Sequence, residues 1–384
     1  MPRKANGESS IYQDANGVWH GKVSMGLKDN GERDRRHVTG RRRADVLRKN
    51  RVLEQQREAG MAAAAGRSPT VGSWLDHWLN TIAVRKVRPS TFTRYEQLVR
   101  LHLIPGLGHH RLDRLQPEHV EALYGRMHDS GQAPASVLQA HRVLSRALKV
   151  AMQRGRVARN VATLVDAPSM VRERPVPLTG EEARRVLAAA VGTRNAARWS
   201  VALAVGLRQG EALGLQWSSI DLTIGTLRTP LALQRQKGKG LVLGEPKSRM
   251  AKTRMITLPP TLGEALKAHR KAQLAERLAA GESWEDNDFV FAQPNGRPLD
   301  PRGDNRAWMA LLASAGVRVA RLHDARHTAA TLLYAQGVPP LVVSEIMAHS
   351  QVYFTQQTYG NGTPELRREA AASMDQALWG QLQP

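Results

Sequence analysis

GLRQGEALGLQWSSIDL, residues 206–222, decides how the second half of this 384-residue chain is built. An apolar helix, WSVALAVGL, runs straight into Arg208, and Gly210 and Glu211 follow at once. An arginine directly after a buried segment is badly placed for mere solvation. Glu211 can orient its guanidinium from close by and leave the fork to grip a phosphate, while a structural Arg/Glu pair stays open as the other reading. Upstream, the prolines and charges of APSMVRERPVPL end at Thr179, whose side chain can cap a helix while Glu182 reaches back to complete a capping box. Downstream, one β-rich insert spans about Asp221 to Leu258, and the remainder reads as helix.

Within the insert, LRTPLALQRQKGKGLVLGEPKSRMAKTRMITLP (227–259) crowds lysines and arginines around Pro246-Lys247-Ser248, and RMITLP returns as a strand. A lysine at the tip of such a hairpin can enter a minor groove and hand a proton to a leaving oxygen; a basic surface loop is the plainer reading. LHDARHTAATLLYAQG (322–337) then sets His323, Arg326 and His327 at helical spacing, with His323 and Arg326 on one face. Two histidines four apart suggest a metal, but no glutamate lies between them and no third ligand is evident. A helix-capping or core histidine and a phosphate-facing His/Arg pair remain. PPLVVSEIMAH predicts a helix ending near His349, followed by a small polar turn and, ten residues after the histidine, Tyr359. Tyr353, in the apolar triplet VYF, reads as packing, whereas Thr358 and Gly360 leave the Tyr359 phenol room to reach outward.

The first half divides differently. Residues 9–43 predict three short strands with turns at Ala15-Asn16-Gly17 and Asp29-Asn30-Gly31, then a helix from about Ala44 to Glu58 and a linker from Ala62 to Pro69. Residues 1–66 hold 14 Lys+Arg against 8 Asp+Glu. A small sheet backed by one helix can lay such a basic strand face into a DNA groove, or the unit is a solvated basic hairpin. From Thr70 to about Pro168 the period is helical: VGSWLDHWLNTI puts Val71, Trp74, Leu75, Trp78, Leu79 and Ile82 on one stripe. QPEHVEALYGRM and PASVLQAHRVLSRALKVAMQRG continue what reads as a four-helix module. Its polar faces carry Arg85, Lys86, Arg88, Arg94, Arg100, Arg142, Arg146 and Lys149, which serve as solvation or as contacts to a DNA backbone.

Composition narrows the function class. The chain carries 56 Lys+Arg against 34 Asp+Glu, a formal charge of +22, so its partner is a polyanion, nucleic acid or an anionic membrane. No apolar run approaches the ~18 residues that span a bilayer, and MPRKANGESS lacks a signal-peptide core, so membrane insertion and secretion are not expected. With no cysteine, disulfides, thiolate zinc sites and cysteine nucleophiles are excluded. No glycine loop with a following lysine points to a nucleotide.

In chain order the segments supply Arg, Lys, His-x-x-Arg, His and Tyr. GLRQGEALGLQW, PKSRMAKTRMITLP, HDARHTAATLL and MAHSQVYFTQQTYG together closely resemble the catalytic domain of the tyrosine recombinases, the phage integrase family, from about Pro177 to the C-terminus. The resemblance implies a multidomain, mainly α fold with small β elements. Residues 1–66 are similar to the family's arm-type DNA-binding domain, a three-stranded sheet plus helix. Residues 67–172 look like its helical core-binding domain, and 173–384 like its α+β catalytic domain.

Carried over by position, the resemblance implies that Arg208 and Arg326 hold the non-bridging oxygens of a scissile phosphate, with Glu211 in support. It implies Lys247 as general acid to the leaving 5′ oxygen, with Lys252 in the same hairpin as the alternative. His323 becomes the proton-transfer histidine, His349 a second support of the phosphate, and Tyr359 the nucleophile that forms a 3′-phosphotyrosyl link. No cofactor or metal is implied. The partners implied are double-stranded DNA at attachment sites, a homotetramer on that DNA and accessory DNA-bending or directionality proteins, in the cytoplasm at the nucleoid. The expected activity is integration or excision of a phage or mobile element. Two rivals are a DNA-binding regulator that has lost catalysis, although every matching position is filled, and a type IB topoisomerase, which would yield relaxed circles without recombinant joints. Two departures stand out: Met347-Ala348 where the family commonly has Leu-Gly, and Ala325 in place of a usual leucine before Arg326.

Overall fold

The computed structural model describes residues 9–27, 32–58, 68–169 and 176–348, the side chains of Leu27, Gln56 and Arg249 excepted. The chain packs into two compact units, Met1–Arg172 and Glu173–Pro384.

The first unit opens with an antiparallel sheet of β1 (Ser10–Gln13), β2 (Trp19–Leu27) and β3 (Arg33–Gly40), in that order. The turn at Ala15-Asn16-Gly17 forms as expected because the Asp14 carboxylate accepts from the amides of Asn16 (3.0 Å) and Val18 (2.9 Å). Asp29-Asn30-Gly31 and most of the expected linker lie outside the described residues. Alternation along β2 splits the sheet into two faces. Val23 is buried, as is Val46 of helix α1 (Arg43–Glu58), which backs the sheet. On the opposite face Tyr12 pairs with His20, and Lys22 with His37. There the Tyr12 and His20 rings stack at 5.0 Å, and Lys22 Nζ lies 5.4 Å from the Tyr12 centroid.

Four helices follow among the described residues. The first, α2, runs from Val71–His77 through a π-helical turn, Trp78–Ala83, into Val84–Lys86; the second, α3, from Pro89–Leu98 through a π-helical Val99–Leu103 into Ile104–Leu107. Then come α4 (Pro117–Asp129) and α5 (Pro134–Gln153), each with proline in its first turn, where the missing amide costs nothing. The stripe from Val71 to Ile82 is buried throughout, and Trp74 Nε1 donates to Ala147 O at 3.0 Å. Each such large apolar side chain contributes roughly 1.5–3 kcal/mol on burial. All eight cations read from the polar faces are exposed, although Arg100 is engaged by Glu96 at 3.3 Å and Asp76 at 3.8 Å.

In the second unit, α6 (Gly180–Ala190) starts at the expected capping box: Thr179 N donates to Glu182 Oε2 at 2.7 Å, and Glu182 N to Thr179 Oγ1 at 3.1 Å. Helices α7 (Ala196–Ala204) and α8 (Gln209–Leu213) lead into the β-rich insert. Strands β4 (Ile220–Asp221), β5 (Thr226–Arg228) and β8 (Met255–Thr257) make one antiparallel sheet. Between β5 and β8 the chain throws out a separate hairpin, β6 (Ala232–Gln236) and β7 (Gly240–Gly244), and a short helix α9 (Arg249–Thr253). The hairpin lies hard against α8: a Cβ on Gly214 would fall 2.7 Å from Leu233 N. Helices α10 (Pro260–Ala280), α11 (Pro301–Ser314), α12 (Leu322–Ala335) and α13 (Pro340–Met347) follow among the described residues. No helix of the described residues is long and apolar enough to cross a membrane.

Candidate active site

Arg208 sits at the N-cap of α8, a short turn after the buried helix α7. Its turn depends on Gly206, whose φ of +59° suits glycine. Gln209 pins the start of α8 by donating to Pro301 O (2.8 Å) and Asp304 Oδ2 (3.0 Å), and that carboxylate also takes the buried Arg198 Nη2 at 2.9 Å. Glu211 does what its spacing suggested: Oε1 accepts from Arg208 Nη1 at 2.8 Å and Oε2 from the Arg208 amide at 3.1 Å. Glu211 is 1% exposed. Burial by itself would raise its carboxyl, but Arg254 and Arg208 outweigh that and hold it below the usual carboxylate range. The Arg208 side chain remains 25% exposed.

Arg326 comes from α12 and is 4% exposed. Its Nη1 donates to Gly206 O at 2.7 Å and its Nη2 to Met347 O. Arg208 Nη2 donates to the next carbonyl, Ala348 O, at 3.3 Å. The two arginines, 118 positions apart in the chain, thus converge on adjacent peptide groups at the C-terminal end of α13. The predicted helix ends there, close to His349 as expected, where Ala348 turns into the left-handed region with φ 45° and ψ 52°.

His323 lies partly exposed in the first turn of α12, its ring 5.0 Å from that of His327 in an edge-on arrangement. The two share a helix turn, as their spacing required. Partial burial, then the charge of Arg326, hold His323 below the ordinary histidine value, which favours the neutral imidazole near pH 7. Among the described residues no group of three His, Asp or Glu side chains is arranged to hold a metal.

Lys247 differs from its sequence reading in position. The hairpin tip is Lys237-Gly238-Lys239, where Gly238 and Gly240 take positive φ. Lys247 lies beyond β7, exposed in the loop before α9. The insert carries two turns where the sequence suggested one, which moves the lysine from the tip to the base. Lys252, its rival, forms an ion pair with Glu245 at 2.5 Å. His349, Tyr353 and Tyr359 lie outside the described residues.

Arg254 was not read as part of the site. It is buried where β8 begins, and its guanidinium joins Glu211, Thr229 and Ile346. In sequence it is one cation among several in KSRMAKTR; its single distinguishing mark is its place at the start of an apolar strand.

The family described as "Phage integrase family" matches residues 177–365, and "Phage integrase, N-terminal SAM-like domain" matches 70–128. An integrase of Saccharopolyspora erythraea is 39% identical over 98% of this chain and 98% of its own length, and one of Streptomyces ambofaciens is 30% identical over 97% of each. Among solved structures, the Tn1549 transposon integrase in complex with a circular intermediate DNA superposes with a TM-score of 0.68 at 20% identity, covering 80% of this chain and 100% of that one. A lambda integrase dimer bound to a COC' core site gives 0.56 at 18% identity, covering 93% and 96%. The fold is therefore theirs, and with two integrases related over nearly their whole lengths, the chain belongs to the phage integrase family of tyrosine recombinases, enzymes of site-specific DNA recombination.

Proposed function

We propose that the protein cleaves and rejoins DNA strands through Tyr359 without a metal ion, integrating or excising a mobile element. The observation that carries this reading is the convergence of Arg208 and Arg326 on the consecutive carbonyls of Met347 and Ala348, immediately before His349. Guanidinium forks held there fit the non-bridging oxygens of a phosphate and neutralise the charge that builds on the pentavalent phosphorus, the task a divalent cation would otherwise perform. His323, kept neutral, accepts the phenolic proton; a phenol with a pKa of ~10 needs such help. Tyr359 Oη bonds to phosphorus, the 5′ oxygen departs with a proton from Lys247, and His349 supports the phosphate. Attack of a 5′ hydroxyl on the 3′-phosphotyrosine reverses each transfer, so no nucleotide is consumed.

In this reading residues 173–384 catalyse, 67–172 grip the core site through their exposed cations, and 1–66 engage a second, arm-type DNA site with the open face of the sheet. Double-stranded DNA and three further copies of the chain are the partners, with accessory bending or directionality proteins, in the cytoplasm. A lambda integrase tetramer bound to a Holliday junction, similar in fold at a TM-score of 0.54, lends support to that assembly. The test is to incubate the protein in EDTA with DNA flanking its own gene and run a denaturing gel. A covalent adduct lost in Tyr359→Phe and kept in Tyr353→Phe supports the reading; no adduct, even on nicked substrate, overturns it.

A further inference from the structure

Arg254 is buried at 4% side-chain exposure and bonds to three separate segments. Nη2 donates to Glu211 Oε2 at 2.7 Å, Nη1 to Ile346 O at 2.7 Å and Nε to Thr229 Oγ1 at 3.2 Å. Thr229 in turn donates to Ala251 O at 2.9 Å, in the helix that follows Lys247, and Ser248 Oγ donates to Ala348 O at 3.4 Å. Arg254 therefore touches the partner of Arg208, the last turn of α13 and the support of the lysine loop.

Charge gives this arrangement a consequence beyond packing. Glu211 lies between two guanidinium groups, one buried and one partly in solvent. Were Glu211 paired with Arg208 alone, the carboxylate would cancel the charge that faces a phosphate. With Arg254 taking up Oε2, the trio carries a net positive charge, and that surplus appears at Arg208, the exposed member. We infer that Arg254 is a positioning residue of the recombination reaction, which keeps Arg208 electrostatically available by neutralising Glu211 from behind. The inference rests on the reading of Arg208 as a phosphate ligand given above.

The experiment compares single-turnover adduct formation by the full-length wild type, Arg254→Gln, Arg254→Lys, the double variant Arg254→Gln/Glu211→Gln, and Arg208→Ala, at saturating protein. DNA affinity and thermal unfolding are measured alongside. Removing one donor to a transition-state oxyanion costs about 10²-fold in rate, and Arg254→Gln is expected to fall near that with affinity for the core site unchanged. Removing the carboxylate that then cancels Arg208 should restore about tenfold of the loss in the double variant, because the surplus charge returns to Arg208. Arg254→Lys keeps the charge and should lie nearer wild type. The pH profile adds a readout that a merely structural role would not move: the wild-type to Arg254→Gln ratio should shrink toward acid pH as Glu211, without the Arg254 charge beside it, takes a proton and releases Arg208.

A wild-type rate in Arg254→Gln, a double variant as slow as the single, or Arg254→Lys as slow as Arg254→Gln would each overturn the inference. If Arg254→Gln does not fold, the double variant, which buries no uncompensated charge, and Arg254→Lys decide. Arg208→Ala separates the two levels: at wild-type rate the reading of the site has failed and this inference falls with it. A slow Arg208→Ala beside an unaffected Arg254→Gln sinks this inference alone.

Discussion

Gly206→Ala should destabilise the second unit by about 2 kcal/mol and slow DNA cleavage as well. At the observed φ of +59° an L residue loses ~1–2 kcal/mol to the left-handed backbone. The added Cβ would stand 2.9 Å from Met347 Cε, 3.0 Å from its Sδ and 3.2 Å from Ala329 Cβ. The methionine tip can swing aside, but Ala329 is fixed to α12, so crowding adds roughly 1 kcal/mol, the low end for an overpacked core. The stiffer unfolded chain returns about 0.5 kcal/mol. Hydrogen exchange of peptides spanning residues 322–335 across a urea series reads this unit alone. In the same variant Arg326 loses register with its acceptors Gly206 O and Met347 O, so adduct formation should fall too. Met347→Ala should then cost less in the Gly206→Ala background than alone, by about 1 kcal/mol, since the two sites share the contact. A Gly206→Ala chain within about 0.5 kcal/mol of wild type, or strict additivity with Met347→Ala, would refute the argument that this glycine exists for the close approach of α13.

Three further outcomes can be checked. Lys247→Ala should lower adduct formation by about 10²- to 10⁴-fold, with recovery on a substrate whose leaving oxygen is replaced by sulfur, which needs no proton; Lys252→Ala, paired to Glu245, should change neither. His327 is pulled down to about 4, first by burial and then by His323, against the opposite pull of Asp324. The unfolded chain, with histidine at its ordinary 6.5, therefore binds a proton that the folded chain refuses, and stability should decline as pH falls from 6.5 toward 4 and level off below; the slope should vanish from urea midpoints of His327→Gln. Thr179→Ala, which removes the Oγ1 acceptor of the Glu182 amide and keeps the backbone amide that donates to the Glu182 carboxylate, should cost about 1 kcal/mol in the same urea series.

What could be read from the residues was what depends on local period and on local chemistry. The stripe from Val71 to Ile82, the capping box at Thr179 and the turn after Asp14 each follow from neighbours within a few positions, and each is found. The π-helical turns at Trp78–Ala83 and Val99–Leu103 were not foreseen, because one extra residue per turn leaves the apolar pattern nearly intact over so short a span. The place of Lys247 was misread for a related reason: a second, glycine-made turn at Lys237-Gly238-Lys239 sits inside a segment that looks like one hairpin. Arg254 escaped notice because its three partners come from positions 211, 229 and 346, and no spacing rule links those numbers. The pairing of Arg208 with Glu211, three residues on, was legible; the second guanidinium on the same carboxylate was not.

The three arginines also explain how the end of α13 is held. A helix C-terminus leaves its last carbonyls unpaired and carries the negative end of the helix dipole. Here Ile346 O takes Arg254, Met347 O takes Arg326, and Ala348 O takes Arg208 together with Ser248. The departure at Ala348, where the family commonly has glycine, thereby acquires a physical meaning. It is a question of backbone strain more than of packing: a buried alanine at φ 45° bears roughly 1–2 kcal/mol that a glycine would not. Two donors on its carbonyl keep it there. The guanidinium proposed above as a phosphate ligand is thus bonded to the Ala348 peptide, so the proposed phosphate-binding charge and the end of α13 are held by one set of hydrogen bonds.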